Sequence, residues 1–444
     1  MAALGIRDAR LLREDGNRTA VVAADVLIEG GVIAAIGPGA ARAADRTLRA
    51  EGALCLPGFV QTHVHLCQTL MRGLADDLEL LDWLATRIWP LEAAHTPASL
   101  RASARLGIAE LLLGGTTTVL TMETVHHTDE VFRAAEELGI RATIGKTHMD
   151  HPDTPAGLKE ETAASLAEAE RLCRDWHGAA GGRLRYAYSP RFALSCTESL
   201  LEHAAELARR DSALLQTHAS ENREECARVA AATGLANIRY LDRVGALGPH
   251  TVLAHCVHLE DGEAERLAGR GVHVAHCPTC NLKLGSGIAD TVGLLAAGVN
   301  VSLGADGAPC NNALDMFEEM KLAALLPKVR HGAAALPARR VLDMATCAGA
   351  HALGLGDVIG AVEEGRRGDV IVVAPRGPRG WPRELADPVS QIVYAGRASD
   401  VRHVVVDGKV LVKDGTLAGC DLDVLRADAE REAAGLCARA AAGG

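Results

Sequence analysis

Aromatic side chains are scarce in this chain: Phe, Tyr and Trp together make up 3% of its 444 residues. That disfavours a surface that binds single-stranded nucleic acid by stacking bases on rings. Positive charge is also in deficit, with 46 Lys and Arg against 57 Asp and Glu, a formal net charge of −11. Such a field repels polyanions, which argues against duplex binding and against docking on anionic lipid. No apolar run reaches the roughly 18 residues that a membrane-spanning helix needs. The opening MAALGIRDARLLRED carries charges where a secretory leader would hold its apolar stretch. The 12 cysteines show no framework of paired spacings, so they read as reduced, mostly buried thiols of a cytoplasmic protein.

What is present fits a folded globular chain, 48% hydrophobic and 23% charged. Residues 1–56 read as short strands with tight turns: AVVAADVLIEGGVIAAIGPG is broken at Gly30-Gly31 and at Gly37-Pro38-Gly39. Residues 368–412 return to that style in GDVIVVAPRG, VSQIVYAG and VRHVVVDGKVLVKDG, with a hairpin signal at Asp407-Gly408-Lys409. The two chain ends, 1–56 and 361–444, are expected to form one small β-sandwich domain, the second carrying a terminal helix rich in Ala, Arg and Glu. Between them, 57–360 alternates strand-like runs at 58–64, 116–121, 140–146, 184–188, 213–217, 251–254, 272–275 and 299–304 with helical patterns such as ASLRASARLGIAELLLGG and TDEVFRAAEELG. Eight such units predict an α/β fold, a (β/α)8 TIM barrel.

Functional side chains of such a barrel sit at the C-terminal ends of its strands. Strand one ends in Gln61-Thr62-His63-Val64-His65, and residues two apart share a face, so His63 and His65 can reach the mouth together. Strand five ends in His218 with Glu221 three residues on, strand six in His255, and strand eight in Asp306. Neutral imidazoles with one carboxylate suit Zn²⁺ or Fe²⁺ and leave a position open for solvent. Such an ion brings the pKa of water from about 15.7 towards about 7. A carboxylate outside the ligand set, here Glu221, can then move protons. A lone HxH is weak evidence; the ordered set is strong, because so many buried imidazoles without a ligand would leave polar atoms seeking partners.

At these residues the chain resembles the amidohydrolase superfamily, in the branch of cytosine-, guanine- and adenosine-type aminohydrolases and triazine hydrolases. The resemblance runs through PGFVQTHVHLCQTLMRG, LLQTHASENREE, TVLAHCVHL, HCPTCNLKLGSGIA, LGADGAPCNNALDMFEEM and a late GDVIVV. It implies that His63, His65, His218 and Asp306 bind the metal, that Glu221 is the proton shuttle, and that His255 orients the nucleophile or substrate. Binuclear relatives carry a Lys at the end of strand four; here that place reads Tyr188-Ser189-Pro190-Arg191, so one divalent ion is expected, Zn²⁺ ahead of Fe²⁺. Lys146, on strand three, reads as structural. The implied reaction is hydrolytic deamination, with Asp306 accepting the water proton and Glu221 protonating the ring nitrogen beside the amine-bearing carbon. The resemblance also implies a homo-oligomer with a small-molecule substrate.

The stretch RGLADDLELLDWLATRIWPLEAAH resembles deaminases of 5′-modified adenosines, such as 5′-deoxyadenosine, methylthioadenosine and S-adenosylhomocysteine. There a Glu holds the ribose hydroxyls, and Glu92 matches it; Trp83 is placed as a cap on the pocket. Gln68, Arg191 and Phe192 instead resemble guanine and 8-oxoguanine deaminases, where such residues hold the oxo-purine. The reading favours the modified adenosine, with the oxo-purine and a triazine aminohydrolase or chlorohydrolase as alternatives. Other residues read plainly: Cys277 and Cys280 as buried loop thiols, His273 as core, His276 as a rim residue that does not bind the ion, His126-His127 as a solvated turn, Trp89 as packing, and Asp76-Asp77 as a solvated loop. Gly354 and Gly356 complete no dinucleotide fingerprint.

Overall fold

Strands wrapped by helices must be apolar on both faces, and Phe59–His65 and Thr116–Met122 are buried at every position. The computed structural model describes residues 2–15, 18–375, 377–382 and 385–442. The strands run in order: Phe59–His65, Thr116–Met122, Arg141–Gly145, Leu184–Pro190, Leu214–Ala219, Thr251–His255, His273–His276 and Asn300–Leu303. Each pairs in parallel with the next. Beyond the eighth, Asp306 and Gly307 pair with Val64 and His65 of the first and close the ring. All eight predicted runs fall on this (β/α)8 barrel.

Inside the barrel, Val60, Leu120, Leu214 and Val252 pack with Leu353, Leu355 and Ile359, which follow the eighth strand and plug the end opposite the site. The helices between strands begin and end where local chemistry dictates. Pro97–Leu113 starts at a Thr96–Ser99 capping box with Pro97 in its first turn. Asp129–Leu138 stops at Gly139, whose φ of 84° is open to glycine at little cost.

Both chain ends build a nine-stranded sheet. Its two halves meet where Leu54–Pro57 pairs antiparallel with Val370–Val373. Alternation assigns each face: Cys55, Val370, Val372 and Val405 join Ile6, Leu11 and Val26 in a core of the sheet's own. Leu54, Leu56, Ile371, Val373, Val404 and Val406 point the other way, into the barrel's outer core. The predicted hairpin joins Val401–Val406 to Lys409–Lys413, with Asp407 and Gly408 at φ 55° and 76° as a two-residue turn of this kind needs. The terminal helix, Leu422–Ala442, lies over the barrel mouth's flank. Its Ala429 and Leu436 share a buried cluster with Leu70, Met71, Leu80 and Trp83, and Arg439 donates to the Ala94 carbonyl at 2.8 Å. Among the described residues no helix is long and apolar enough to cross a membrane.

Candidate active site

Simple alternation along the first strand would turn His63 and His65 outward. Val60 faces the barrel interior, so odd-numbered residues should face the helices, as Phe59 does. Between Gln61 and Val64, however, the pairing with the second strand slips. The slip inverts the phase, as a bulge does: Val64 joins the outer core and both histidines turn into the mouth. The eighth strand approaches closely at this point, because a Cβ on Gly304 would lie 2.6 Å from the His63 carbonyl oxygen.

The four residues expected to bind metal converge. His218 Nε2 lies 3.2 Å from His63 Nε2 and 3.3 Å from His65 Nε2. Asp306 Oδ1 is 3.5 Å from His63 Nε2 and 3.1 Å from His65 Nε2. All four offer ligand atoms within 4.8 Å of one another. His65 Nδ1 donates to the Met122 carbonyl at 2.7 Å and His218 Nδ1 to the Arg191 carbonyl at 2.6 Å. With those protons on Nδ1, the neutral rings aim two Nε2 lone pairs at each other in a buried site. Lone pairs so placed repel unless a cation lies between them, so the donor set fits a metal ion.

Beside this cluster, Glu221 Oε2 is 3.4 Å from His255 Nε2, which is 3.8 Å from Asp306 Oδ2. Burial pushes the Glu221 carboxyl well above the usual carboxylate range, and the charges of Asp306 and Glu225 push it further. Burial also acts to raise Asp306, but the adjacent His63 and His65 outweigh it and hold that carboxyl well below its usual value. Two neighbouring carboxyls are thus driven apart, one towards acid and one towards base. His255, lowered to about 4 chiefly by burial, is neutral. Its Nδ1 donates to Asn281 Oδ1 at 2.9 Å, which leaves Nε2 free to accept. The backbone here is strained: His255 and Asp306 sit at φ 75° and 64°, a region that non-glycine residues occupy at a cost and mainly at functional sites.

Two supporting residues escaped the sequence reading. Asn281 fixes His255 from the helix Pro278–Lys283. Glu225 accepts from the Glu221 backbone N–H at 2.7 Å and from that of Asn222 at 3.2 Å, so the helix that it caps, Arg223–Thr233, sets where Glu221 stands. The capping box was a readable signal for Glu225; nothing local marks Asn281.

A cavity opens onto His65, His218, Glu221 and Asp306. Leu80, Trp83, Leu84, Phe192 and Leu284 give it an apolar wall, and Gln68 and Arg191 a polar one. Glu92 does not line it. Its carboxylate accepts from Arg191 Nη1 at 2.5 Å, Arg191 Nη2 at 3.2 Å and Gln68 Nε2 at 2.8 Å. Glu92 therefore stands behind Arg191 and Gln68. Burial opposes its ionisation, but the Arg191 charge overcomes that and holds Glu92 below its usual range.

Lys146 is buried and ion-paired with Glu160, away from the cavity. His273 donates from Nε2 to the Pro249 carbonyl at 3.2 Å and accepts from Asn300 at 3.0 Å, low in the barrel. His276 is buried near His255, with Nδ1 unpartnered. Asp76 pairs with Lys283 at 2.5 Å. Trp89 faces a separate cavity with Leu81 and Leu194.

The amidohydrolase family matches residues 54–411. The chain belongs to the amidohydrolase family. It is 43% identical over 375 residues to the 5'-deoxyadenosine deaminase of Methanothermobacter thermautotrophicus, covering 84% of this chain and 85% of that protein. It is 41% identical over 403 residues to the 5-methylthioadenosine/S-adenosylhomocysteine deaminase of Syntrophobacter fumaroxidans, covering 90% of each. Among solved structures, an adenosine deaminase from Xanthomonas campestris with bound zinc superposes with a TM-score of 0.89 at 32% identity, over 98% of both chains. The aminohydrolase branch read from the motifs is borne out by these amidohydrolase relatives, and the chain is a hydrolase of C–N bonds.

Proposed function

We propose that the protein is a metal-dependent deaminase that releases ammonia from the purine ring of a 5′-modified adenosine. The observation that carries the reaction type is the placement of Glu221, buried beside His255 and facing the His63, His65, His218 and Asp306 cluster. Those four side chains would hold one divalent ion, Zn²⁺ before Fe²⁺. Bound there, the ion would make water nucleophilic at neutral pH. Asp306, held ionised, receives the proton of the attacking water. Glu221, held neutral, gives its proton to the ring nitrogen next to the carbon that loses the amine. His255 accepts a hydrogen bond at Nε2 and orients the attacking water, while Leu80, Trp83, Leu84 and Phe192 exclude bulk water from the ring.

The modified adenosine is supported by the deaminase relatives at 41–43% identity and by Arg191, whose two terminal nitrogens are both engaged by Glu92. A second reading, an oxo-purine, is favoured by Gln68, Arg191 and Phe192, which line the cavity while Glu92 does not. A panel assayed for ammonia and for ultraviolet change separates them. 5′-Deoxyadenosine, methylthioadenosine and S-adenosylhomocysteine should be turned over well ahead of guanine and 8-oxoguanine. The reverse order would install the second reading, and chloride release from a chlorotriazine without ammonia from any purine would displace both. Glu221→Gln should retain the ion by elemental analysis yet lose on the order of 10²–10⁴ in kcat; near-normal turnover would remove Glu221 from the proton path. Buried cysteines such as Cys67, Cys280 and Cys310 fit a reducing cytoplasm, which we take as its place.

A further inference from the structure

Beside the site lie two thiols that the reaction does not use. Cys280 and Cys310 are fully buried. Cys280, Asp306 and Cys310 bring ligand atoms within 4.8 Å of one another, and so do Glu221, His255 and Cys280. The two groups share Cys280, so the other four donor atoms all lie within 4.8 Å of its sulfur. Two of them are unpartnered there: Glu221 Oε1 and His255 Nε2 are buried without a hydrogen bond. Cys277 and Cys280 are both buried, and the thiol that meets Cys280 comes from 30 residues further on, in the short helix Ala308–Asn311.

We propose that Cys280, Cys310 and Asp306, with Glu221 and His255, form a second site for a thiophilic divalent cation such as cadmium, mercury or excess zinc, and that its occupancy shuts the enzyme down. The proposal rests on the reading above that a first ion belongs to His63, His65, His218 and Asp306. Two sulfurs with carboxylate and imidazole donors select soft or borderline ions over magnesium or calcium. Each thiol, and the Glu221 carboxyl, gives up its proton to solvent as its bond to the metal forms. Burial raises both thiols, Cys310 to about 11, so only a cation with strong sulfur affinity displaces those protons at neutral pH. Repulsion from the first ion is offset by Asp306, Glu221 and the two thiolates, four negative charges. The route in is the cavity itself, which Glu221 and Asp306 both line. Occupancy takes the proton donor and the base together, and turnover stops.

The test uses full-length protein loaded with one equivalent of zinc, in a thiol-free reductant, titrated with cadmium. Three quantities are read: bound metal after dialysis, the ultraviolet thiolate-to-cadmium charge-transfer band, and ammonia release. Wild type should take up cadmium beyond the first equivalent, gain the band and lose activity. Cys280→Ser and Cys310→Ser should keep the first ion and basal turnover, lose the band's main component, and need about tenfold or more cadmium for inhibition. Identical bands and inhibition in wild type and both variants would overturn the proposal, as would one bound ion and no second. Failure to hold the first zinc would instead count against the catalytic reading, and the band would still report on the thiols.

Discussion

Arg191 and Glu92 come 99 positions apart in the chain, and each carries its own signal: one resembles a clamp for an oxo-purine, the other a holder of ribose hydroxyls. The structure puts them on each other. No periodicity or spacing reports such a pairing, because it is made by two elements that meet only once the barrel closes. The metal set, by contrast, is legible because every member stands at the end of a strand whose apolar pattern is strong. The pairing has an energetic consequence. Glu92 is ionised and only 2% exposed, and Arg191→Met would leave it with Gln68 as its remaining side-chain donor. Removing one partner of a buried ion pair costs about 3–5 kcal/mol. Arg191→Met should therefore lower the urea midpoint strongly, and the double variant with Glu92→Gln should recover much of the loss, a positive coupling in a double-mutant cycle. Additive losses would show that the pair does not hold the pocket floor. Substrate preference is then best read on the stable double variant, where folding no longer confounds it.

At the level of elements, the eight strands follow from their apolar runs, but the way the first strand delivers its ligands does not. Alternation correctly pairs His63 with His65 on one face; it gives no warning that the face changes between Gln61 and Val64. Nor does a glycine in GADG announce that it is there for the neighbouring strand. Gly304 has no Cβ, and one placed there would meet the His63 carbonyl oxygen at 2.6 Å and the His63 nitrogen at 2.9 Å. Backbone atoms at that range cannot rotate away, so Gly304→Ala should push the first strand outward where the phase inverts. The expected result is a folded barrel, with unchanged far-ultraviolet circular dichroism, whose zinc affinity falls by about tenfold or more because ligand placement is disturbed. Unchanged zinc affinity would show that the strand absorbs the methyl without moving His63. The terminal helix teaches a similar lesson: its composition marks it as a helix, while its docking beside Leu80 and Trp83 depends on a three-dimensional neighbour far away in sequence.

The whole molecule holds several histidines neutral at a cost that appears only in acid. His273 is the simplest, being remote from the metal cluster and fixed as one tautomer between Pro249 and Asn300. Burial, with the nearby His351 adding to it, lowers its pKa from 6.5 to about 4. Between those two values the unfolded chain binds a proton at this position and the native protein does not, so stability falls as pH drops through the window and levels off below about pH 4. His95, also lowered to about 4 by burial, acts in the same sense. The buried carboxyls of Glu123 and Glu319, raised by burial to about 7, act in the opposite sense: the native state keeps protons that the unfolded chain has lost between about pH 4.5 and 7. The bare pH profile is thus a sum of opposing slopes, and a difference isolates one of them. His273→Gln removes the titrating group while leaving an amide that can both donate and accept. The stability gap between wild type and this variant should shrink by on the order of 3 kcal/mol as pH falls from 7 to 4, read from urea unfolding at each pH. A gap constant across that range would mean that His273 takes up its proton in the native barrel, and that the Pro249–Asn300 pocket does not enforce neutrality.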